Sequence, residues 1–364
     1  MMKAAVCYEF GKPLVVEEVE LDPPQEGEVM VRLAAAAICH SDIHRIRGIW
    51  GGKTPTVAGH EVAGVVEQVG PGVTLTQPGE PVIVSLLRSC GRCYYCVSGS
   101  PNLCEHDFAL NTESRLRNKR GAPIEQGIRT GGFAEYCVVD QSQVVRVPDE
   151  MPLDRAALLA CGVITGLGAV VNTAQVEPGS SVAVIGVGGV GLNSVQGAAL
   201  SGAHPIIAID LLDSKLEAAR TFGATHGINA APHEDAKSVV KELTSGRGAD
   251  YVFVTVGNCA AVAQGLELVR RRGTLVIVGI PESGATIALP VREHVLHERR
   301  VIGSFMGSTR LSVDIPRLVQ LYQSGRLKLD ELITARYPLE QINEAIEATE
   351  KGTSLRNVVI FASD

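Results

Sequence analysis

Four cysteines, Cys90, Cys93, Cys96 and Cys104, lie in the run CGRCYYCVSGSPNLC, and no other feature limits the fold so tightly. Their C-x2-C-x2-C-x7-C spacing lets four sulfurs close round one centre in a tight loop, as a tetrahedral zinc site requires. A disulfide knot suits a small secreted domain, whereas this chain has 364 residues and starts MMKAAVCYEF, without the charged-then-apolar layout of a signal peptide. An iron–sulfur cluster is the other alternative, but nothing else in the sequence suggests electron transfer. A closed four-thiolate zinc site has no open position, so it is expected to brace a lobe and do no chemistry.

Candidates for chemistry lie on either side of that run. ICHSDIH supplies Cys39, AGHE supplies His60 and Glu61, and LLACGVITG supplies Cys161. Two thiolates and an imidazole leave a fourth coordination position vacant, which is how catalytic zinc is held. Taken one at a time, Cys161 is more often a buried apolar cysteine and His60 a satisfied loop histidine.

The chain exceeds the size of one core, so two domains are expected. A net charge of −7 argues against nucleic acid or an anionic membrane as the main partner. No apolar stretch is expected to reach the length of a membrane span. Nine cysteines with a metal-like cluster fit a reducing cytoplasm. The basic run RLRNKR from Arg115 to Arg120 reads as a solvated loop, or else as a contact for an acidic substrate tail or a neighbouring subunit.

The first 150 or so residues read as β-rich: LVVEEVEL, EVMVRLAAA, EVAGVVEQV, EPVIVSL and AEYCVVD carry strand-like residues between Gly/Pro breaks. An Ala-rich helix is expected from about Pro152 to Asn172. Strand–helix alternation follows, with SVAVIGV, PIIAID, HGIN, ADYVFVTV and TLVIVGI as strands and RVIGSFM as a sixth. LNSVQGAALSG, SKLEAARTFG, DAKSVVKELTSG and VAQGLELVRRRG are the intervening helices. Near-continuous apolar strands in such alternation imply a parallel, doubly wound sheet, so the fold class is α/β. DIPRLVQLYQSG and LEQINEAIEATEKG read as amphipathic helices, closed by the strand NVVIF.

VAVIGVGGVGLNS puts Gly186, Gly188 and Gly191 in G-x-G-x-x-G register at the end of the first alternating strand, with Gly189 and Val190 between them. Strand before, helix after and an acidic residue about 20 positions on make this a dinucleotide fingerprint. Asp210 can accept hydrogen bonds from the adenosine ribose hydroxyls and would repel a 2′-phosphate, which favours NAD over NADP. Lys215 is a further ribose candidate.

With these residues in hand, the chain resembles the zinc-dependent alcohol dehydrogenases of the medium-chain dehydrogenase/reductase superfamily. The likeness runs through CHSDIH, GHE, the four-cysteine lobe, ACG, GVGGVG and SLRNVVIF. It implies a GroES-like β-rich catalytic domain of residues 1–162 and 305–364, with a Rossmann domain inserted at about 163–304. It also implies two zinc ions per subunit and hydride transfer between NAD and an alcohol or aldehyde. Carried over, Cys39, His60 and Cys161 match catalytic zinc ligands, Glu61 a carboxylate near the metal, and Asp42 the partner that orients His60. Ser41 matches the hydroxyl that meets the alcohol and His44 the end of a proton relay. His40 and Arg356 match pyrophosphate contacts; Thr165, Val190 and Ile280 match residues beside the nicotinamide.

Trp50, Leu86, Phe305 and Met306 match pocket positions, with Leu86 and Gly127 standing where bulkier residues are usual. A wide pocket with a stacking face implies medium-to-bulky or aromatic primary alcohols. Trp50 and Phe108 stand where the glutathione-dependent formaldehyde branch carries polar or charged groups, which counts against that specialisation; an S-hydroxymethyl thiol adduct is kept as the alternative substrate. A polyol dehydrogenase is disfavoured by Cys161, and a zinc-free reductase by the Cys39–His60–Cys161 set. A non-catalytic NAD-binding protein is the remaining reading. A homodimer or homotetramer is expected, paired at a sheet edge in the region from VFVTV to LVIVGI.

Overall fold

The computed structural model describes residues 1–230 and 235–361. The chain divides into two compact units, Met1–Cys161 with Arg310–Asp364, and Gly162–Thr309.

In the first unit, strands Met2–Cys7, Val15–Leu21, Leu116–Arg117, Pro123–Gln126 and Thr56–Val57 close into a barrel. Beside it runs a seven-stranded sheet centred on Glu28–Ala37, which pairs antiparallel with Glu61–Val69, Tyr136–Asp140 and Arg356–Ile360. Alternation decides which faces turn inward: Val29, Val31 and Leu33 enter a core that includes Phe133, Ile124 and Val62. The pairing of Val358 with Ala37 ties the C-terminal strand to the N-terminal half, so both ends of the chain build one unit. All five strands expected from the sequence form. Met2–Cys7 and Ile333–Pro338 were not expected as strands, and the second alternates half-buried with exposed residues without a buried apolar stripe.

The second unit holds a six-stranded parallel sheet in the order His226–Asn229, Ile206–Asp210, Val182–Ile185, Ala249–Val254, Val269–Ile277, Arg300–Gly303. Its central strands, VAVI and IIAI, are buried at every position, as a sheet covered on both faces demands. The architecture is therefore a GroES-like barrel unit plus a Rossmann-like sheet, as expected. The second unit extends to Thr309, five residues beyond the expected limit. Thr173 bonds both Ser304 and Ser308 at 2.8 Å, and Asn172 Nδ2 donates to the Gly307 carbonyl, so this segment is held to the 164–174 helix.

Four expectations need correction. VRRRG, expected at the end of a helix, begins the strand Val269–Ile277: Ala249 pairs with Val269 and Tyr251 with Thr274, leaving a bulge in which Arg270 meets Asp250. The run 115–120 is only in part a solvated loop: Lys119 and Arg120 are exposed, but the run begins buried. Arg115 is buried and paired with Glu28 at 2.6 Å, while Arg117 meets Asp22 and Lys119 meets Glu18, both at 2.9 Å. The helix Leu153–Ala174 is long and apolar enough to cross a membrane by length and composition, and 72% of its apolar window is buried inside the protein, as in a core helix. Finally, Ala249–Val254 and Val269–Ile277 lie inside the sheet; its edges are His226–Asn229 and Arg300–Gly303.

Candidate active site

Cys39 caps the short helix His40–Ile46, and Asp42 in its first turn reaches back to accept from the Cys39 backbone N–H at 3.2 Å. The same carboxylate accepts from Gly59 N at 2.9 Å and holds His60 Nδ1 at 2.8 Å. One wholly buried aspartate thus fixes the backbone of the first cysteine, the loop before the histidine, and the imidazole itself. With Nδ1 so engaged, His60 turns Nε2 toward Cys161 Sγ, 3.3 Å away. Cys161 sits in the π-helical turn Leu159–Val163 of an otherwise α-helical run. That wider turn loosens the i→i−4 ladder, and Ser85 Oγ donates to the Ala160 carbonyl at 2.7 Å. A helical irregularity therefore aims the second sulfur, a signal that the sequence stretch LLACGVITG does not announce.

The donor atoms of Cys39, His60, Glu61 and Cys161 all lie within 4.8 Å of one another, and all four residues are buried. In a zinc tetrahedron with Zn–S near 2.3 Å, ligand atoms stand about 3.8 Å apart, so this set fits one ion after small adjustments. Its chemistry fits as well. Hydrogen bonds from Cys161 and then His60 hold the Cys39 thiol well below its ordinary range, against burial. Burial raises Glu61 to about 7, opposed by the adjacent Arg356. Glu61 Oε1 has no hydrogen-bond partner among the described residues.

Arg356, expected at a pyrophosphate, is 5% exposed; its Nη2 donates to Glu61, and its Nε has no hydrogen-bond partner among the described residues. In this geometry it neutralises a buried carboxylate beside the thiols. His40 is exposed, Ser41 half-buried, and His44 packs edge-on to Trp50 with ring centroids 5.1 Å apart. Ser41 and His44 are three residues apart on one helix and so share a face.

The sulfurs of Cys90, Cys93, Cys96 and Cys104 form a second group within 4.8 Å. Backbone amides point at them: Cys93 N donates to Cys90 Sγ and Cys90 N to Cys104 Sγ, each at 3.3 Å. Backbone N–H groups of Cys96 and Glu105 bring Cys93 down to about 6, whereas burial pushes Cys96 up to about 12 and raises Cys104. The lobe is half-exposed and has no hydrophobic core of its own, so a metal would be its main tie.

In the second unit, Gly186 has φ +83°, and a Cβ on Gly191 would meet the Gly186 carbonyl oxygen at 1.9 Å. Both positions therefore require glycine. A Cβ on Gly188 would meet nothing within 4 Å: the glycine faces open space just ahead of the helix Gly189–Leu200. Asp210 accepts from Val187 N and Leu211 N, both at 2.8 Å, fixing the end of the Gly-rich turn. Lys215 and Val190 are half-buried. Thr165 is buried and donates to Met306 Sδ at 3.6 Å, whereas Ile280 and Phe305 are 50% and 42% exposed.

One pocket residue departs from expectation. A Cβ on Gly127 would meet the Val57 carbonyl oxygen at 2.7 Å, so the glycine lies against backbone and widens no cavity. Its neighbour Ile128 faces the cavity in its place, together with Trp50. Leu86 is half-buried.

Residues 25–149 match the alcohol dehydrogenase GroES-like domain model, and 189–324 match the zinc-binding dehydrogenase model. The chain is 40% identical to an NDMA-dependent alcohol dehydrogenase of Amycolatopsis methanolica, over 100% of this chain and 99% of the relative. It belongs to the zinc-binding medium-chain alcohol dehydrogenases. This dehydrogenase is also 39% identical to an S-(hydroxymethyl)glutathione dehydrogenase of Paracoccus denitrificans, over 99% of each chain. The crystal structure of benzyl alcohol dehydrogenase from Acinetobacter calcoaceticus superposes with a TM-score of 0.93 at 31% identity, covering 99% of both chains. The chain is thus an enzyme, a zinc-dependent alcohol dehydrogenase with two candidate zinc sites.

Proposed function

We propose that the enzyme uses NAD to interconvert medium-to-bulky or aromatic primary alcohols and their aldehydes, and that it works in the cytoplasm as a dimer or tetramer. Cys39, His60 and Cys161 would hold the catalytic zinc, and the four-cysteine lobe the structural one. When bound, zinc supplies Lewis acidity at the alcohol oxygen and the nicotinamide supplies the hydride acceptor. Asp42 keeps His60 in the tautomer that presents Nε2, and Arg356 keeps the neighbouring Glu61 charge balanced. Ser41 takes the alcohol proton, and His44, with Nδ1 unpartnered among the described residues, passes it outward along the same helix face.

The observation that carries the reading is the buried Cys39–His60–Cys161 triad clamped by Asp42. NAD is supported by Asp210, whose carboxylate ends its strand beside the Gly-rich turn with no arginine at 211 or 212. The bulky-substrate reading draws support from Trp50 and from the likeness to the Acinetobacter benzyl alcohol enzyme. Steady-state kcat/KM for benzyl alcohol, hexanol and ethanol with NAD and with NADP, alongside metal content, tests it. We expect NAD and the larger alcohols to be preferred, and Cys39→Ala to lose both one zinc and turnover. A clear preference for ethanol or NADP, or an active Cys39→Ala enzyme lacking that zinc, overturns it.

A further inference from the structure

A cavity of about 870 Å³ opens within the first unit, lined by Arg45, Trp50, Lys53 and Arg129 among others. It adjoins the candidate catalytic helix through Trp50, whose ring lies 5.1 Å from that of His44.

Its polar lining is unbalanced. The two carboxylates on the wall are already engaged: Glu125 with Arg45, and Glu113 with Arg115 at 2.9 Å. Asn111 Oδ1 accepts from Arg88 Nη1 at 2.8 Å. The donors are not so satisfied. Trp50 Nε1 and Arg45 Nε are buried without a partner among the described residues, although buried N–H groups are nearly always paired. Lys53 and Arg129, both exposed, also line the cavity, and neither takes part in an ion pair among the described residues.

Behind Arg129, the buried Arg88 donates to Gln143 Oε1 at 2.7 Å, to Asn111 Oδ1, and to the Arg129 carbonyl oxygen at 3.1 Å. All three are neutral acceptors, while the carboxylates of Asp140 and Glu28 act on its charge from further off. Ile128 and the Trp50 ring supply the apolar remainder.

Donors without acceptors, surplus cations and an aromatic face describe a site awaiting an anionic oxygen group on an apolar body. We propose that this cavity is a subsite for a carboxylate carried by the substrate at the end remote from its hydroxyl, held by Lys53 and Arg129 with the N–H groups of Arg45 and Trp50. The physiological substrate class is then aromatic or long-chain alcohols bearing a carboxylate. This rests on the alcohol dehydrogenase reading above and narrows it.

Trp50 is the chain's single tryptophan, so its fluorescence reports on this wall alone. Two measurements on the zinc-replete enzyme test the proposal. Titration with para-toluate should change Trp50 emission saturably and should weaken with added salt, while neutral para-toluamide should bind at least about tenfold more weakly, the size of one ionic hydrogen bond. In turnover, para-(hydroxymethyl)benzoate should exceed para-(hydroxymethyl)benzamide in kcat/KM by a similar factor, carried mainly in KM. The double variant Lys53→Met with Arg129→Gln should bring both ratios close to one.

Equal binding of acid and amide, or ratios that persist in the double variant, would sink the proposal. If the neutral amide and benzyl alcohol are oxidised as well as the acid, only the carboxylate subsite is lost. If none of the alcohols is oxidised, the parent reading fails, and the toluate titration still decides whether the subsite exists.

Discussion

Replacing Asp42 by asparagine isolates the clamp that organises the candidate zinc site. Asparagine matches aspartate in size, so no cavity forms at this wholly buried position. Its Oδ1 can still accept from Gly59 N and His60 Nδ1, which stand at 2.9 and 2.8 Å. The other end of the side chain becomes an NH2 facing the Cys39 N–H, now 3.2 Å from a carboxylate oxygen, so two donors oppose each other. One buried donor left unsatisfied costs on the order of 1–3 kcal/mol. The imidazole also loses its charged partner, and loss of such a partner weakens metal binding about 10–100-fold, or about 1.4–2.7 kcal/mol. The structural lobe, with four ligands of its own, serves as an internal reference.

The assay is zinc content after dialysis against graded chelator, read beside thermal unfolding. We expect the wild type to retain two zinc ions per chain and Asp42→Asn to fall to one at about 10–100-fold lower chelator strength. If both proteins release both ions over the same chelator range, Asp42 is not a positioning residue for the metal.

The Gly-rich turn separates folding from binding. Gly191→Ala should lower Tm by several degrees because its Cβ meets the Gly186 carbonyl oxygen at 1.9 Å. Gly188→Ala, with nothing within 4 Å, should leave Tm unchanged and weaken dinucleotide binding, as calorimetric titration would show. Asp210→Gly removes the proposed ribose acceptor, and a loss of about 1.5–3 kcal/mol should cut kcat/KM for NAD by roughly 10–150-fold relative to NADP; an unchanged ratio refutes the role. Burial raises the Asp154 carboxyl, but hydrogen bonds from Arg155 and Arg336 outweigh it and leave the group below its usual range. A carboxylate depressed in the folded state adds stability above its unfolded pKa of about 3.9, lost as pH falls through the folded value. Chemical denaturation should therefore show a smaller loss of stability between about pH 5 and pH 3 in Asp154→Asn than in the wild type; parallel curves would refute it.

Much of this was legible in the one-dimensional pattern because the constraints are local. Four cysteines within one loop can reach a common centre only as a group. Strand, Gly-rich turn, helix and Asp210 are consecutive, so their order reproduces their geometry. Five antiparallel strands of the first unit announced themselves through β-branched runs between glycines and prolines, while Met2–Cys7 did not. By contrast, Cys39, His60 and Cys161 come from a helix cap, a loop and a π-turn spread over more than 120 residues, and only the family likeness joined them in the sequence.

Tertiary structure alone decided matters that depend on who meets whom. Arg115 and Arg117 look like solvated charges until Glu28 and Asp22 are seen opposite them. Arg356 turns inward to Glu61 because a buried carboxylate beside two thiols needs a cation. VRRRG keeps a helical composition yet forms a strand, since Asp250 captures Arg270 and the ladder pairs around the bulge. Residue type and spacing determined which local units this chain builds and which metals it can hold, because those follow from covalent geometry and ligand chemistry. Long-range pairing decided which charges are neutralised and which donors stay unmet, because burial sets the cost of each and only the folded chain decides burial.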